Sequence, residues 1–243
     1  RLRCDWSSDV CSSDLTKCFY TKTNIQKVII LNQFRKQLLH NNKTINVTDF
    51  GRGSKIFKSN NRKISKIAKV AGISKKRSEL LIRIVEYFKS TQILEIGTSL
   101  GIGTACLSLG NSNSQITTLE GCTNTANIAL NQLKKFNLNN INISIGDFKV
   151  TLPKSLSNKT YDLIYFDGNH QKEPTIDYFE QCLKTIHNES VFIFEDIHWS
   201  EEMLETWKYI KNHPKVTVTI DTFFWGIVFF RKEQTKEHFV IRI

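Results

Sequence analysis

Apolar residues recur at three- and four-residue steps between Thr21 and His40 (Ile25, Val28, Ile29, Phe34, Leu38, Leu39), the spacing of one helix face. From Asn41 to Asn61 the period is lost. That stretch is rich in Asn, Lys, Gly and Ser, and Asp49-Phe50-Gly51-Arg52-Gly53-Ser54 has the chemistry of a turn, so a loop is expected. Helical spacing returns over Ile64 to Val70 and Ser74 to Phe88, with Gly72 as the break and Ser74 as N-cap, making residues 16–90 a helical cap. After Ser90 short apolar runs alternate with helical segments. Ile93 to Ile96, Ile116 to Leu119, Ile141 to Ile145, Leu163 to Phe166 and Val191 to Phe194 are each apolar enough for a strand buried on both faces. Val216 to Ile220 and Phe223 to Arg231 are separated by too few residues for a crossover and must pair antiparallel. Residues 91–243 therefore predict an α/β domain with a seven-stranded, mostly parallel sheet and an antiparallel last strand.

A chain of 243 residues, 40% hydrophobic, can bury one sizeable core. It has no apolar run of the roughly 20 residues that span a bilayer and no signal-peptide layout near its start, so a soluble, cytoplasmic protein with no membrane partner is expected. Residues 1–15 stand apart. They repeat Ser-Ser-Asp without any period and look like the translation of a sequencing-library adapter; we read them as a gene-assembly scar that carries no function. Without Cys4 and Cys11, the remaining Cys18, Cys106, Cys122 and Cys182 are scattered singly, which predicts reduced structural thiols and no zinc or redox pair.

The formal net charge of +11 favours polyanions non-specifically. Much of it lies on the predicted helices of residues 22–86 (Lys63, Lys66, Lys69, Lys75, Lys76, Arg77, Arg83), without interleaved aromatic stacking partners. A solvated helical face is favoured over a nucleic-acid site, leaving a small molecule as the expected partner. Oligomeric state is not legible.

The candidate chemistry begins at the turn after the first strand, Glu95-Ile96-Gly97-Thr98-Ser99-Leu100-Gly101-Ile102-Gly103. Its glycines do not follow the G-x-G-x-x-G order of a dinucleotide fold, which argues against NAD. The order resembles the first motif, E-x-G-x-x-x-G-x-G, of class I S-adenosylmethionine-dependent methyltransferases. That resemblance implies a Rossmann-like fold and an S-adenosylmethionine site formed by Glu95, Gly97, Thr98, Gly101 and Gly103, with a side chain at Gly101 blocking the cofactor's approach. Glu120, about 20 residues past the glycines at a strand end, is suited to accept both ribose hydroxyls. Asp147 and Phe148 resemble the family's residues at the adenine amino group and ring face.

Tyr165-Phe166-Asp167-Gly168-Asn169-His170 and Phe194-Glu195-Asp196-Ile197-His198-Trp199 end the fourth and fifth strands. The pair resembles the small-molecule O-methyltransferases related to catechol O-methyltransferase and the cephalosporin-biosynthesis methyltransferases. The resemblance implies a Mg²⁺ ion held by Asp167 and Asp196, with Glu195 as third ligand, activating an acceptor hydroxyl. One position departs from the pattern: Ile197 stands where those enzymes carry an amide ligand. The alternative is that Asp167 orients the cofactor's ammonium while Glu195 and Asp196 cap the next helix. His170 occupies the offset of the family's lysine base and is the leading candidate to take the acceptor's proton, or else it packs on the cofactor; His198 and Lys172 follow. Trp199, Phe223, Phe224 and Trp225 suit either an aromatic acceptor wall or core packing. The implied activity is methyl transfer to a small-molecule hydroxyl. An RNA or protein acceptor is the alternative, without an N-P-P-Y motif to support it, and an inactive adenosyl-binding module is a third.

Overall fold

The computed structural model describes residues 18–51, 53 and 57–242; the segment 1–15 lies outside the described residues. The chain opens with α1 (Ile25–Leu39), N-capped by the Asn24 side chain. Its buried stripe is Leu31, Phe34 and Leu38, whereas Ile25, Ile29 and Leu39 of the expected face are exposed. The polar stretch that follows is not all loop. β1 (Thr44–Asn46) and β2 (Asn61–Lys63) form an antiparallel ribbon, too short and too polar to show a period of two. β2 runs directly into α2 (Ile64–Val70), and α3 (Lys75–Phe88) begins at Ser74, which caps it as expected.

Strand and helix then alternate: β3 (Gln92–Ile96), α4 (Ile102–Gly110), β4 (Gln115–Glu120), α5 (Thr123–Lys135), β5 (Ile141–Ile145), α6 (Phe148–Leu156), β6 (Leu163–Phe166), α7 (Lys172–Cys182), β7 (Val191–Glu195) and α8 (Glu201–Asn212). β8 (Val218–Asp221), β9 (Trp225–Phe229) and β10 (Glu237–Val240) complete the described chain. The sheet runs β10-β8-β9-β7-β6-β3-β4-β5, with β9 antiparallel to both neighbours and all other pairings parallel. This is the expected Rossmann-like α/β sheet, extended by one strand. The added β10 pairs parallel to β8 at the edge; with two of its four residues exposed, it lacked the apolar run that marks a central strand.

Two apolar layers sandwich the sheet. On one face, Leu31, Phe34 and Leu38 of α1 join Ile64 and Ile67 of α2, the buried side of α3, and Ala105 to Leu107 of α4 against Ile93, Leu163, Tyr165 and Ile193. On the other, Leu152, Phe179, Cys182, Trp207 and Ile210 of α6, α7 and α8 cover Leu94, Ile96, Ile164, Phe166, Phe192 and Phe194. The four described cysteines are buried, in keeping with structural thiols. Among the described residues no helix is long and apolar enough to cross a membrane.

Candidate functional site

Parallel register brings the carboxyl ends of five strands to one edge. Ile96 pairs with Leu119 and Phe166, Glu120 with Ile145, and Phe166 with Phe194, so Gly97, Glu120, Asp147, Asp167 and Asp196 emerge side by side. There a cleft of about 780 Å³ opens, lined by Gly97, Ser99, Glu120, Asp147 and Phe148 at one end and by Asp167, His170, Glu195, Asp196 and Trp199 at the other. Residues 47–51 and Arg77 also border it. Ser99, Asn169, His170, Asp196 and Phe223, all at this edge, have φ between 48° and 77°. Left-handed backbone costs a non-glycine residue about 1 kcal/mol or more, so its concentration here marks a site whose geometry the surrounding fold enforces.

The glycine turn is built differently from what its motif implied. Gly97, at φ 108°, packs on the loop after β6: a Cβ there would lie 2.2 Å from the Asp167 carbonyl oxygen. Gly101 opens α4 at φ 79°, and a Cβ there would meet Ala129 and Leu133 of α5, so a side chain would strain the helix start and press on α5 instead of filling the cofactor's approach. Gly103 faces Glu95 and Tyr165. Glu95 itself is fully buried beneath the turn, on the α4 face of β3. It accepts hydrogen bonds from the Thr104 and Thr118 hydroxyls, and burial pushes its carboxyl up to about 8. Thr98 is buried as well, its hydroxyl 2.6 Å from that of Thr118. Of the motif, Gly97 reaches the main cleft, and Glu95, Thr98, Gly101 and Gly103 shape the turn behind it.

Glu120 is held in place at the cleft. Its two carboxylate oxygens each accept one backbone amide, from Ser99 (2.8 Å) and Cys122 (2.9 Å), which fixes the group and leaves lone pairs toward the cleft. Burial raises its pKa, opposed by those amides. Asp147 is exposed and caps α6 by accepting from Lys149 N at 2.9 Å. Phe148 stands edge-on to Tyr178, with ring centroids 5.9 Å apart.

At the other end, the acids meet a cation that the sequence did not single out. Arg77, from α3, forms a salt bridge with Glu195 Oε1, and the Tyr165 hydroxyl donates to Glu195 Oε2. Asp167 sits against this pair; burial, then the Glu195 charge, push its carboxyl well above the usual range. Asp196 is raised more mildly, by burial, with His170 and Arg77 acting against it. The expected Mg²⁺ donor set does not assemble. Both Glu195 oxygens are engaged, Ile197 is buried in the apolar layer, and among the described residues no three carboxylate, histidine or cysteine groups converge as ligands. Nor do the two acids cap the next helix, since Ser200 caps α8.

His170 lines the cleft with Nε2 3.8 Å from Asp167 Oδ1 and its ring 6.1 Å from that of Trp199. The other two base candidates face elsewhere: His198 Nε2 lies 2.7 Å from Asp221 Oδ2, and Lys172 pairs with Glu205. Trp225 is core, while Phe223 and Phe224 are about half exposed. Lys63, Lys66, Lys69, Lys75 and Lys76 are exposed as expected of a solvated face. Arg77 and Arg83 are not part of it. Arg77 is in helical step with Leu81, Ile84 and Phe88, a charge on an apolar stripe that could have flagged it.

This sheet order, with a glycine turn after β3, an acid ending β4 and acids after β6 and β7, is that of the class I S-adenosylmethionine-dependent methyltransferase fold. Residues 94–197 match the family model described as a methyltransferase domain. Among solved structures, the fold resembles the SAH-bound methyltransferase PaMTH1 of Podospora anserina (TM-score 0.64, 13% identity, covering 96% of this chain and 100% of that one). It also resembles an O-methyltransferase from Bacillus cereus in complex with SAH (TM-score 0.57, 18% identity, 89% and 96%). A third neighbour is the O-methyltransferase TomG from Streptomyces achromogenes, involved in tomaymycin synthesis and solved with SAM (TM-score 0.60, 13% identity, 90% and 96%). At these identities the likeness is one of fold. No curated protein matches the sequence.

Proposed function

We propose that this methyltransferase acts on a hydroxyl group of a small molecule, with cofactor and acceptor in one cleft. The carrying observation is the continuity of that cleft, about 780 Å³, from Glu120 and Phe148 to Asp167, His170 and Trp199. Such a volume suits a nucleoside-sized ligand and a compact acceptor together. Two of the structural neighbours being O-methyltransferases supports the same reading. In this proposal Glu120 accepts the ribose hydroxyls, Asp147 and Phe148 bracket the adenine, and Asp167 faces the cofactor's ammonium. S-adenosylmethionine supplies the electrophilic methyl group. His170, held in a left-handed conformation beside Asp167, takes the acceptor's proton, and Trp199 forms an apolar wall for the acceptor. Alignment of the hydroxyl with the methyl supplies most of the acceleration.

The proposal is tested by calorimetry with adenosyl-homocysteine and NAD, followed by methyl transfer to a panel of hydroxylated acceptors. Binding of adenosyl-homocysteine and indifference to NAD are expected. Glu120→Ala should weaken that binding by about tenfold or more, the scale of losing charge-assisted hydrogen bonds. His170→Ala should lower kcat by about 100-fold while leaving adenosyl-homocysteine affinity unchanged. Full turnover by His170→Ala would remove the histidine from the reaction, and turnover confined to amine acceptors would overturn the hydroxyl assignment.

A further inference from the structure

Three acids after β6 and β7 share one end of the cleft, and their mutual repulsion calls for a positive charge among them. In this chain the charge is covalently part of the fold. Arg77 is anchored at three places: its guanidinium pairs with Glu195, its Nε lies 3.3 Å from Ser74 Oγ, and its Cζ stacks 4.7 Å from the centroid of Phe224. The Glu195 oxygen that Arg77 does not hold receives the Tyr165 hydroxyl, so both oxygens of this carboxylate are oriented by protein donors. Ile197, buried to 1% exposure in the opposite apolar layer, offers no replacement ligand. A hard cation such as Mg²⁺ needs several oxygen donors in near-octahedral array. Among the described residues no three such donors converge, and a protein cation already stands beside Glu195.

We propose that Arg77 is a built-in cation of the acceptor end, holding Glu195, and through it Asp167 and Asp196, in the place where a divalent metal would otherwise sit. The chain accordingly works without metal. Arg77 is a positioning residue: it borders the cleft beside Glu195 and orients the acids there. The planar guanidinium, pinned by Ser74 and Phe224, gives this arrangement a fixed direction that a lysine could not reproduce. This inference rests on the methyltransferase reading for its consequence in catalysis, but not for the cation itself.

The test uses Mn²⁺, a paramagnetic substitute for Mg²⁺, titrated into the full-length protein and followed by electron paramagnetic resonance, with adenosyl-homocysteine affinity measured on the same samples. Wild type should show no stoichiometric Mn²⁺ site, and methyl transfer should be unchanged by chelator. Arg77→Ala removes the cation and leaves the acids, so it should gain one Mn²⁺ per chain, bound about tenfold or more tighter than by wild type. Adding Asp196→Asn to that variant should abolish the gain. Arg77→Lys keeps a charge and should gain none, which separates loss of the cation from general disruption. One Mn²⁺ per wild-type chain that disappears in Asp196→Asn would overturn the proposal, as would a folded Arg77→Ala that acquires no site. Failure of wild type to bind adenosyl-homocysteine would instead count against the methyltransferase reading and leave the cation result standing.

Discussion

Glu95 illustrates how far a motif residue can be from the role its motif suggests. Its carboxyl is enclosed between β3, α4 and β4, satisfied on one oxygen by two threonine hydroxyls and without a partner on the other. Burial raises its pKa from 4.5 to about 8, so the folded protein holds this proton more tightly than the unfolded chain does. The stabilising contribution is therefore complete below about pH 4.5 and is lost as the pH rises to about 8. In urea melts, Glu95→Gln should gain on wild type by up to about 1.4 kcal/mol per pH unit across that window and keep a constant lead above it. Parallel pH profiles for the two proteins would show that Glu95 is ionised in the fold. Gly97 poses the complementary case of pure backbone geometry. Gly97→Ala would force a side chain onto φ 108° and against the Asp167 carbonyl, at a cost of about 2 kcal/mol or more, read as a melting temperature lowered by several degrees.

Among the elements, the ribbon of β1 and β2 has the clearest consequence. It delivers residues 47–51 across the strand ends as a strap, fastened by Thr48 N to Cys122 Sγ at 3.3 Å and by the Arg62–Asp49 ion pair. Phe50 lies on Gly121 beside Glu120, and Gly51 lies against Asn169, so the strap touches both ends of the cleft. Phe50 is 53% exposed and contributes little to the core. Phe50→Ala should thus leave the melting temperature within about 1 °C while weakening adenosyl-homocysteine binding several-fold, because it removes one apolar wall of the cofactor end. A lowered melting temperature with unchanged affinity would mean that the strap only braces the fold.

Over the whole molecule, α1 belongs to the core. Leu31, Phe34 and Leu38 are at most 1% exposed, and Gln132 on α5 donates to the Phe34 carbonyl at 3.2 Å. Burying three such side chains contributes on the order of 5 kcal/mol, comparable with the entire stability of a domain. Deleting residues 1–40 should accordingly abolish cooperative thermal unfolding, whereas deleting residues 1–15, which carry no apolar period, should leave the melt unchanged. Circular dichroism melts of the two truncations decide both points, and a cooperative transition without α1 would make it an accessory element.

The order of strands and helices from Ile93 onward was readable because a buried strand and an amphipathic helix each write their period into neighbouring residues. The glycine turn, Glu120 and the acids at Asp167 and Glu195–Asp196 were readable for the same reason: each follows its own strand within a few positions. What the chain did not reveal depends on partners far away in sequence. The Arg77–Glu195 pair spans 118 residues, and it exists because α3 lies along α4 with its first turn over the ends of β6 and β7, a placement set by packing and not by local pattern. The inward burial of Glu95, the β1–β2 ribbon and the parallel docking of β10 on β8 were likewise decided in three dimensions. The sequence by itself determined which residues reach the carboxyl edge of the sheet; only the tertiary structure determined which charges meet there, because Coulomb and packing energies depend on distance through space while periodicity records only distance along the chain.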